Sequence, residues 1–140
     1  MNQENEQFQE PEFLSRADAL LVHRYQIAEF GGGDGIRDAG ALESALAQPQ
    51  VTAGSVYVHD SLIAMAAAII YHLSQNHPFL DGNKRTALAG GLVFLELNGI
   101  EVLDEEQLLY DLMIGVAGGS FKKSDVELTL RRLIGATHDR

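Results

Sequence analysis

The chain has 140 residues, a formal net charge of -10 and no cysteine. Its length suits one domain with a single continuous core. The acidic balance argues against a general nucleic-acid binder, because such proteins displace phosphate counterions with Lys and Arg, so we expect no direct nucleic-acid partner. The lack of cysteine excludes a disulfide framework and thiolate metal sites.

The N-terminal residues 1–12 are polar and predict a flexible tail, which leaves residues 13–140 as the single domain. This stretch lacks the cationic and apolar regions of a secretory signal, so we expect a cytoplasmic protein. The longest apolar run, Leu62 to Tyr71, is too short for a membrane span of about 20 residues. We therefore expect no membrane partner.

Two helices are predicted in the first third of the chain. Ser15 is the N-cap of the first, with Asp18 in the capping-box position. Asp38 begins a shorter helix, which Pro49 ends. The segment Val51 to Val58 is rich in β-branched residues around a Gly-Ser turn, which predicts a short hairpin or flap, although an ordinary loop fits it equally well.

The central part of the chain contains the two most apolar helical patterns. The pattern that starts at Asp60 is apolar nearly all round, which places this helix at the centre of the core. The other buried helix runs from about Asn83 to Asn98. Two further helices follow, opened by Asp104 and by Ser124. We therefore predict an all-α fold, a compact bundle of about six helices with a short β flap.

The loop between the two apolar helices carries the sequence HPFLDGNKR, residues 77–85. The first backbone N–H groups of the helix after this loop have no intrahelical partner, and Gly82 allows a ligand to approach them closely, so an anion is favoured there. Lys84 and Arg85 lie in the first turn, where the helix dipole disfavours cations unless a polyanion is bound. The motif therefore predicts a site for phosphates such as those of a nucleotide.

Two further side chains of the motif suggest chemistry at those phosphates. Asp81 would be repelled by phosphate unless it held a magnesium ion, which carboxylates and phosphate oxygens commonly share. His77 can accept a proton near neutral pH and fits a general base acting on a hydroxyl, while Phe79 anchors the loop in the core. The combination indicates phosphoryl or nucleotidyl transfer. The alternative is a structural histidine beside a common turn sequence and a solvated Lys-Arg pair.

The motif resembles the signature of the Fic/Doc family, His-x-Phe-x-Asp/Glu-Gly-Asn-Gly/Lys-Arg. The segment GIRDAGALESALAQPQ, residues 35–50, and its spacing to the motif are similar to the death-on-curing branch of that family. The resemblance covers most of the chain from about Phe13. It implies a compact helical bundle with the motif where a loop meets a helix start.

The resemblance also implies roles for individual residues and a nucleotide, ATP. His77 would be the base on a target hydroxyl, and Asp81 would position Mg²⁺. Lys84 and Arg85 would act on the phosphates as catalytic residues. The nucleotide-binding residues that it implies are Gly82, Asn83, Lys84 and Arg85.

Two departures from the Fic pattern favour one reaction over another. Adenylyltransferases of the family carry glycine between Asn and Arg and a second arginine three residues later, where this chain has Lys84 and Leu88. Both departures are shared with Doc-like toxins, which transfer the γ-phosphate of ATP to a hydroxyl on translation elongation factor Tu. The resemblance thus implies a Doc-like toxin of a type II toxin-antitoxin system. The alternatives are an adenylyltransferase and a catalytically idle module that binds nucleotide or a partner.

Inhibition and the remaining polar residues give further expectations. The chain has no Ser/Thr-x-x-x-Glu-Gly/Asn stretch of the kind with which Fic enzymes inhibit themselves, so the resemblance implies a separate antitoxin and an exposed apolar strip to receive it. His23 and His72 fall within helices and are predicted to be packing or surface residues. The run GGGDG, residues 31–35, is predicted to be a helix stop and not a phosphate loop.

Overall fold

The computed structural model describes residues 10–102, 110, 112, 114, 115 and 118–138, with side chains up to Ile134. These residues form the helices α1 (Arg16–Phe30), α2 (Ala39–Ala47), α3 (Leu62–Asn76), α4 (Asn83–Leu97) and α5 (Lys123–His138). A 3-10 turn, Gln48–Gln50, and the strands β1 (Thr52–Ala53) and β2 (Val56–Tyr57) connect α2 to α3. The predicted all-α class is confirmed. No helix in the described part of the chain is both long and apolar enough to cross a bilayer.

Side chains that cap the first backbone N–H groups determine where the early helices begin. Ser15 Oγ accepts a hydrogen bond from the Asp18 N–H at 3.0 Å, and Asp18 Oδ2 accepts one from the Ser15 N–H at 2.9 Å, which completes the predicted capping box. Asp38 caps α2 through the Ala41 N–H at 3.0 Å. Ser61 caps α3 in the same way. Each such cap stabilises its helix by about 1 kcal/mol.

The start of α5 differs from the prediction. Ser124 was expected to be the N-cap, but the helix begins at Lys123, so Ser124 lies inside its first turn. The capping group is the next side chain, because Asp125 Oδ2 accepts a hydrogen bond from the Lys122 N–H at 2.8 Å. A carboxylate near a helix N-terminus is also favoured by the helix dipole. The predicted N-cap at Ser124 is therefore wrong by two residues.

Helix α3 is the centre of the core, as its apolar pattern predicts. Its buried residues are Ala64, Met65, Ala66, Ala67, Ala68, Ile69, Ile70, Leu73 and Ser74. Helices α4, α5 and α2 pack around it. Since burial of one large apolar side chain stabilises the fold by about 1.5–3 kcal/mol, α3 and α4 form a firm base for the loop that joins them.

The segment between α2 and α3 forms the predicted flap. Thr52 pairs with Tyr57 and Ala53 with Val56 in antiparallel register. The side chain of Val56 is exposed, and so are the two valines that flank the hairpin, Val51 and Val58. The flap therefore presents β-branched side chains to solvent at the surface of a helical bundle.

Two predictions fall largely outside the described residues: most of the N-terminal tail, at residues 1–9, and the start of the helix opened by Asp104. The described residues of that helical stretch are helical, namely Tyr110, Leu112, Ile114 and Gly115. Near the other end, the Glu12 N–H donates to Asn98 Oδ1 at 2.8 Å, and Asn98 Nδ2 donates to the Glu12 carbonyl at 2.9 Å. The last residues assigned to the tail are thus attached to the end of α4.

Candidate functional site

The motif loop, residues 77–82, is anchored by a buried aromatic side chain. Phe79 is 1% exposed, as expected of the anchor of this loop. Asn83, the first residue of α4, satisfies both backbone groups of Phe79: its Oδ1 accepts from the Phe79 N–H at 2.9 Å, and its Nδ2 donates to the Phe79 carbonyl at 3.0 Å. Leaving such buried groups unpaired would cost about 1–3 kcal/mol each. The side chain of Asn83 therefore supports the loop, and its contribution to an anion site is limited to its backbone N–H.

His77 ends α3 in a conformation that few side chains adopt. Its φ of 49° and ψ of 55° are left-handed, and its side chain is exposed. This conformation is strained for a residue other than glycine, and the following Pro78 restricts it further. Arg37 holds it in place, because its Nε donates to the His77 carbonyl at 2.6 Å and its Nη2 to the Asn76 carbonyl at 3.0 Å. A cation at a helix C-terminus is also favoured by the dipole.

The motif loop pairs with the segment that connects α1 to α2, which we call the supporting segment, residues 31–38. Ile36 and Phe79 form an antiparallel bridge. The Leu80 N–H donates to the Gly35 carbonyl at 3.0 Å. The glycine run ends α1, as predicted, and in addition it forms a backbone ladder with the motif loop.

The supporting segment also contacts the carboxylate of Asp81. Asp81 Oδ2 accepts a hydrogen bond from the Gly33 N–H of this segment at 3.2 Å, and Asp81 Oδ1 accepts one from the Gly82 N–H at 3.1 Å. Gly32 has a φ of 117°, and a Cβ atom on it would lie 2.9 Å from Asp81 Oδ2. Each carboxylate oxygen keeps a second lone pair for another partner. Asp81 is thus oriented by backbone groups while retaining the capacity to bind a cation.

The start of α4 provides backbone donors. Gly82 is its N-cap, with a φ of 75°, and a Cβ atom there would lie 3.2 Å from Ile27 Cδ1, so glycine suits both the backbone and the space. The N–H groups of the first turn, those of Asn83, Lys84 and Arg85, have no acceptor within the helix. Together with the helix dipole they favour an anion.

The side chain of Arg85 lies beside these donors and is held by contacts with Phe30 and Gly31. Its Nη2 donates to the Gly31 carbonyl at 3.2 Å, and its guanidinium carbon lies 5.1 Å from the centre of the Phe30 ring. Its Nε is enclosed and has no hydrogen-bond partner among the described residues. Lys84 is exposed. Lys84 therefore has donors available for a ligand, whereas the Nε of Arg85 is a buried donor that the described residues leave unpaired.

These groups surround one cavity of about 280 Å³. The residues that line it are His77, Leu80, Asp81, Gly82, Asn83, Lys84 and Arg85. The structure thus brings together every site residue that the sequence singled out. An imidazole, a carboxylate, two cations and a row of backbone donors share a space with room for phosphate groups. This arrangement can bind a polyphosphate and activate a hydroxyl beside it.

His23 is buried, so the predicted role in packing is confirmed, but it also contacts the motif loop in a way that the sequence does not predict. Its ring stacks on Phe79, with 3.9 Å between the ring centres and 6° between the planes. Its Nε2 lies 2.8 Å from the Asp81 carbonyl oxygen. A buried imidazole must find a polar partner, which was the available signal. The identity of that partner, 58 positions away in the chain, could not be inferred from local pattern.

A second group of polar side chains lies apart from the cavity. Lys123 Nζ is 3.3 Å from His59 Nε2 and 3.1 Å from His72 Nε2. Burial and the charge of Lys123 lower the pKa of His72 to about 4, and the same two causes lower the pKa of His59. Both imidazoles are therefore neutral at physiological pH and accept hydrogen bonds from one ammonium group. Nowhere in the described residues do three His, Asp or Glu side chains form a potential metal site.

Comparison with known proteins agrees with this geometry. The sequence profile of the Fic/DOC family matches residues 13–95. The protein kinase Doc of Escherichia phage P1 is 35% identical over 123 residues, which are 88% of this chain and 96% of that protein. The toxin Doc of Mycolicibacterium smegmatis is 43% identical over 91 residues, 65% of this chain and 68% of that protein. The chain therefore belongs to the Fic/DOC family, and its likeness to the Doc branch is confirmed.

Proposed function

We propose that the chain is a Doc-like toxin that transfers the γ-phosphate of ATP to a hydroxyl group of a target protein. The observation that carries the proposal is that His77, Asp81 and the cationic start of α4 line one cavity. The names of the two relatives, a protein kinase and a toxin, support it. Translation elongation factor Tu is the first target to test.

In this proposal His77 is the general base. Its side chain is exposed to the cavity, and its backbone is held by Arg37, so the imidazole can receive a substrate hydroxyl in a defined position. It removes the hydroxyl proton as the oxygen attacks the γ-phosphorus, while the bond from that phosphorus to the bridging oxygen breaks and ADP leaves. A positioned base of this kind contributes about 10²–10⁴-fold in rate.

Asp81 would hold Mg²⁺. Its carboxylate lines the cavity, and each oxygen accepts one backbone N–H while keeping a lone pair for the metal. A magnesium ion that is shared between a carboxylate and phosphate oxygens neutralises charge and orients the phosphates. The fixed carboxylate next to backbone donors fits this use.

The phosphates would lie beside Gly82, against the N–H groups of Asn83, Lys84 and Arg85, with the Arg85 guanidinium as an additional donor. The Lys84 side chain occupies the position of a glycine in adenylyltransferases, and it supplies a point charge where they leave space. We infer that the nucleotide binds so that its γ-phosphate, and not its α-phosphate, faces the hydroxyl that His77 activates. Phosphoryl transfer depends mainly on such positioning and on charge stabilisation.

The proposal includes a separate antitoxin. Leu21 and Tyr25 lie one turn apart on α1 and are 64% and 60% exposed. Exposed apolar residues at this spacing support a surface that receives an apolar partner segment. A disordered antitoxin segment could fold against such a strip.

The decisive experiment uses ATP labelled at either the α- or the γ-phosphate. The protein is incubated with purified elongation factor Tu and, separately, with cell lysate, beside His77→Ala and the surface control Lys122→Ala. Transfer of γ-label that disappears only in His77→Ala supports the kinase. Transfer of α-label supports adenylylation and overturns the kinase. If neither label depends on His77, both reactions are excluded, and a binding module is favoured.

A further inference from the structure

In the hydrogen bond between His23 and the Asp81 carbonyl, the donor can be identified from the chemistry of the two groups. The Asp81 carbonyl oxygen can only accept, so the Nε2 of His23, 2.8 Å away, carries the proton and donates it. The other ring nitrogen lies 3.8 Å from Asp34 Oδ1, which is beyond ordinary hydrogen-bond distance. The ring is therefore oriented by the Asp81 carbonyl on its edge and by Phe79 on its face.

This hydrogen bond orients the whole peptide group between Asp81 and Gly82, and not the Asp81 carbonyl alone. The peptide that joins Asp81 to Gly82 is planar and trans, so its carbonyl and its N–H point in opposite directions. Holding the carbonyl towards His23 therefore also sets the direction of the Gly82 N–H. That N–H donates to Asp81 Oδ1 at 3.1 Å. A continuous path of hydrogen bonds thus runs from His23 through one rigid peptide to the Asp81 carboxylate.

The second carboxylate oxygen is held independently. The Gly33 N–H donates to Asp81 Oδ2 at 3.2 Å. Two backbone donors, one on each oxygen, define the rotation of the carboxylate. His23 controls one of them, although it is 2% exposed and is not among the residues that line the cavity.

We propose that His23 is a positioning residue for the metal-binding carboxylate of Asp81, acting through the Asp81–Gly82 peptide. The proposal rests on the metal role of Asp81 in the proposed function. Loss of a partner that orients a metal ligand typically weakens metal binding about 10–100-fold. A role in packing alone would instead depend on the ring and not on its N–H.

Two substitutions separate the ring from the donor. His23→Phe keeps an aromatic ring on Phe79 but has no N–H. His23→Gln loses the ring but can place an amide N–H near the position of Nε2. Binding of Mn²⁺ alone is measured by the electron paramagnetic resonance signal of the free ion, with wild type and Asp81→Asn as references. We expect about tenfold weaker binding in His23→Phe and a change below about threefold in His23→Gln.

The outcomes distinguish this inference from the proposed function. If Asp81→Asn binds Mn²⁺ as tightly as wild type, the metal role of Asp81 fails, and the inference fails with it. If Asp81→Asn loses Mn²⁺ while His23→Phe retains it, only the role of His23 is overturned. If His23→Phe and His23→Gln weaken Mn²⁺ binding equally, the proposed role of the hydrogen bond is overturned.

A measurement without metal tests the same contact in the unmodified protein. Long-range nitrogen–proton correlation spectra of the histidine rings report which nitrogen of His23 carries the proton. We expect the Nε2–H form, and an Nδ1–H tautomer overturns the proposal. The amide resonance of Gly82 should shift in His23→Phe and stay near its wild-type position in His23→Gln. If the Phe variant does not fold, the tautomer and the Gln variant still decide the question.

Discussion

The Nε of Arg37 donates to the carbonyl oxygen of His77 across 2.6 Å, and it thereby holds the residue that we propose as the base. Arg37→Ala removes this support from a strained left-handed residue. We expect turnover of γ-phosphate transfer to fall about tenfold or more, since small misplacements of a reacting group are costly. The affinity for ATP should change little, because Arg37 is not among the cavity residues. Steady-state kinetics check both values.

Arg16→Ala is the matched control for Arg37. Arg16 makes a 3.0 Å surface ion pair with Glu43, and exposed pairs of this kind contribute less than about 1 kcal/mol. Transfer activity should remain at the wild-type level in this control. Wild-type turnover in Arg37→Ala would contradict the supporting role.

Removal of the Lys84 side chain should stabilise the protein without nucleotide but reduce the stabilisation that nucleotide provides. Lys84 lies at the positive end of α4, so Lys84→Ala should raise the free energy of unfolding of the nucleotide-free protein by about 0.3–1 kcal/mol. With ATP and Mg²⁺ present, the variant should gain much less stability than wild type, because a phosphate partner is lost. Thermal unfolding with and without nucleotide measures both effects.

Lys122→Ala provides the comparison for Lys84. Lys122 directly precedes α5 and is not among the cavity residues, so its removal takes one cation from a helix start without changing the proposed phosphate site. Lys122→Ala should stabilise the nucleotide-free protein to a similar extent as Lys84→Ala. The stabilisation by ATP and Mg²⁺ should remain as in the wild type. An equal nucleotide effect in both variants would exclude Lys84 from phosphate binding.

His72 predicts how stability depends on pH. Its folded-state pKa of about 4 is below the value of about 6.5 for an unfolded chain. Between these values the unfolded state binds more protons, so stability is complete above about pH 6.5 and is lost as the pH falls towards 4. His59, whose pKa is also lowered, contributes in the same direction.

His72→Gln tests this dependence because glutamine can accept the hydrogen bond of Lys123 but does not titrate. Urea unfolding is compared between pH 7 and pH 4.5. The wild type should lose more stability than the variant over this interval. Parallel pH profiles would show that His72 is protonated equally in the folded and unfolded states.

Substitutions at two neighbouring glycines test whether the position of the Asp81 carboxylate matters for transfer. Gly32→Ala places a Cβ atom 2.9 Å from Asp81 Oδ2 and strains a backbone with a φ of 117°. At Gly33 a Cβ atom meets nothing within 4 Å, and alanine keeps the N–H that Asp81 accepts. We expect Gly32→Ala to lower γ-phosphate transfer at least tenfold and Gly33→Ala to change it less than about twofold. Similar losses in both would contradict the geometry.

The sequence predicted those parts of the fold that depend on near neighbours in the chain. The capping box joins Ser15 and Asp18, which are three positions apart, and the six residues assigned to the site lie within a stretch of nine residues. The error at α5 is also local: Ser124 and Asp125 are adjacent potential caps, and the carboxylate reached the Lys122 N–H. Composition cannot decide between such neighbours, because the choice depends on how the preceding loop enters the helix.

The parts that the sequence did not predict depend on distant contacts. His23 reaches the Asp81 carbonyl, and Arg37 reaches the His77 carbonyl, across separations of 58 and 40 residues. Asn83 shows a related difference. The resemblance placed it in the phosphate nest, whereas its side chain bonds the backbone of Phe79, a geometry that becomes visible only once the loop is closed.

The ladder between the supporting segment and the motif loop has a consequence for the order in which the protein is made and folded. During synthesis, residues 31–38 emerge well before residues 77–82, and closing a loop of this size costs entropy before any contact compensates it. Until the two segments dock, the chain therefore holds the chemical groups of the motif without the backbone contacts that position them. We expect competence to appear only with the docking of the two segments, so that a chain carrying the complete motif is inactive before it has folded.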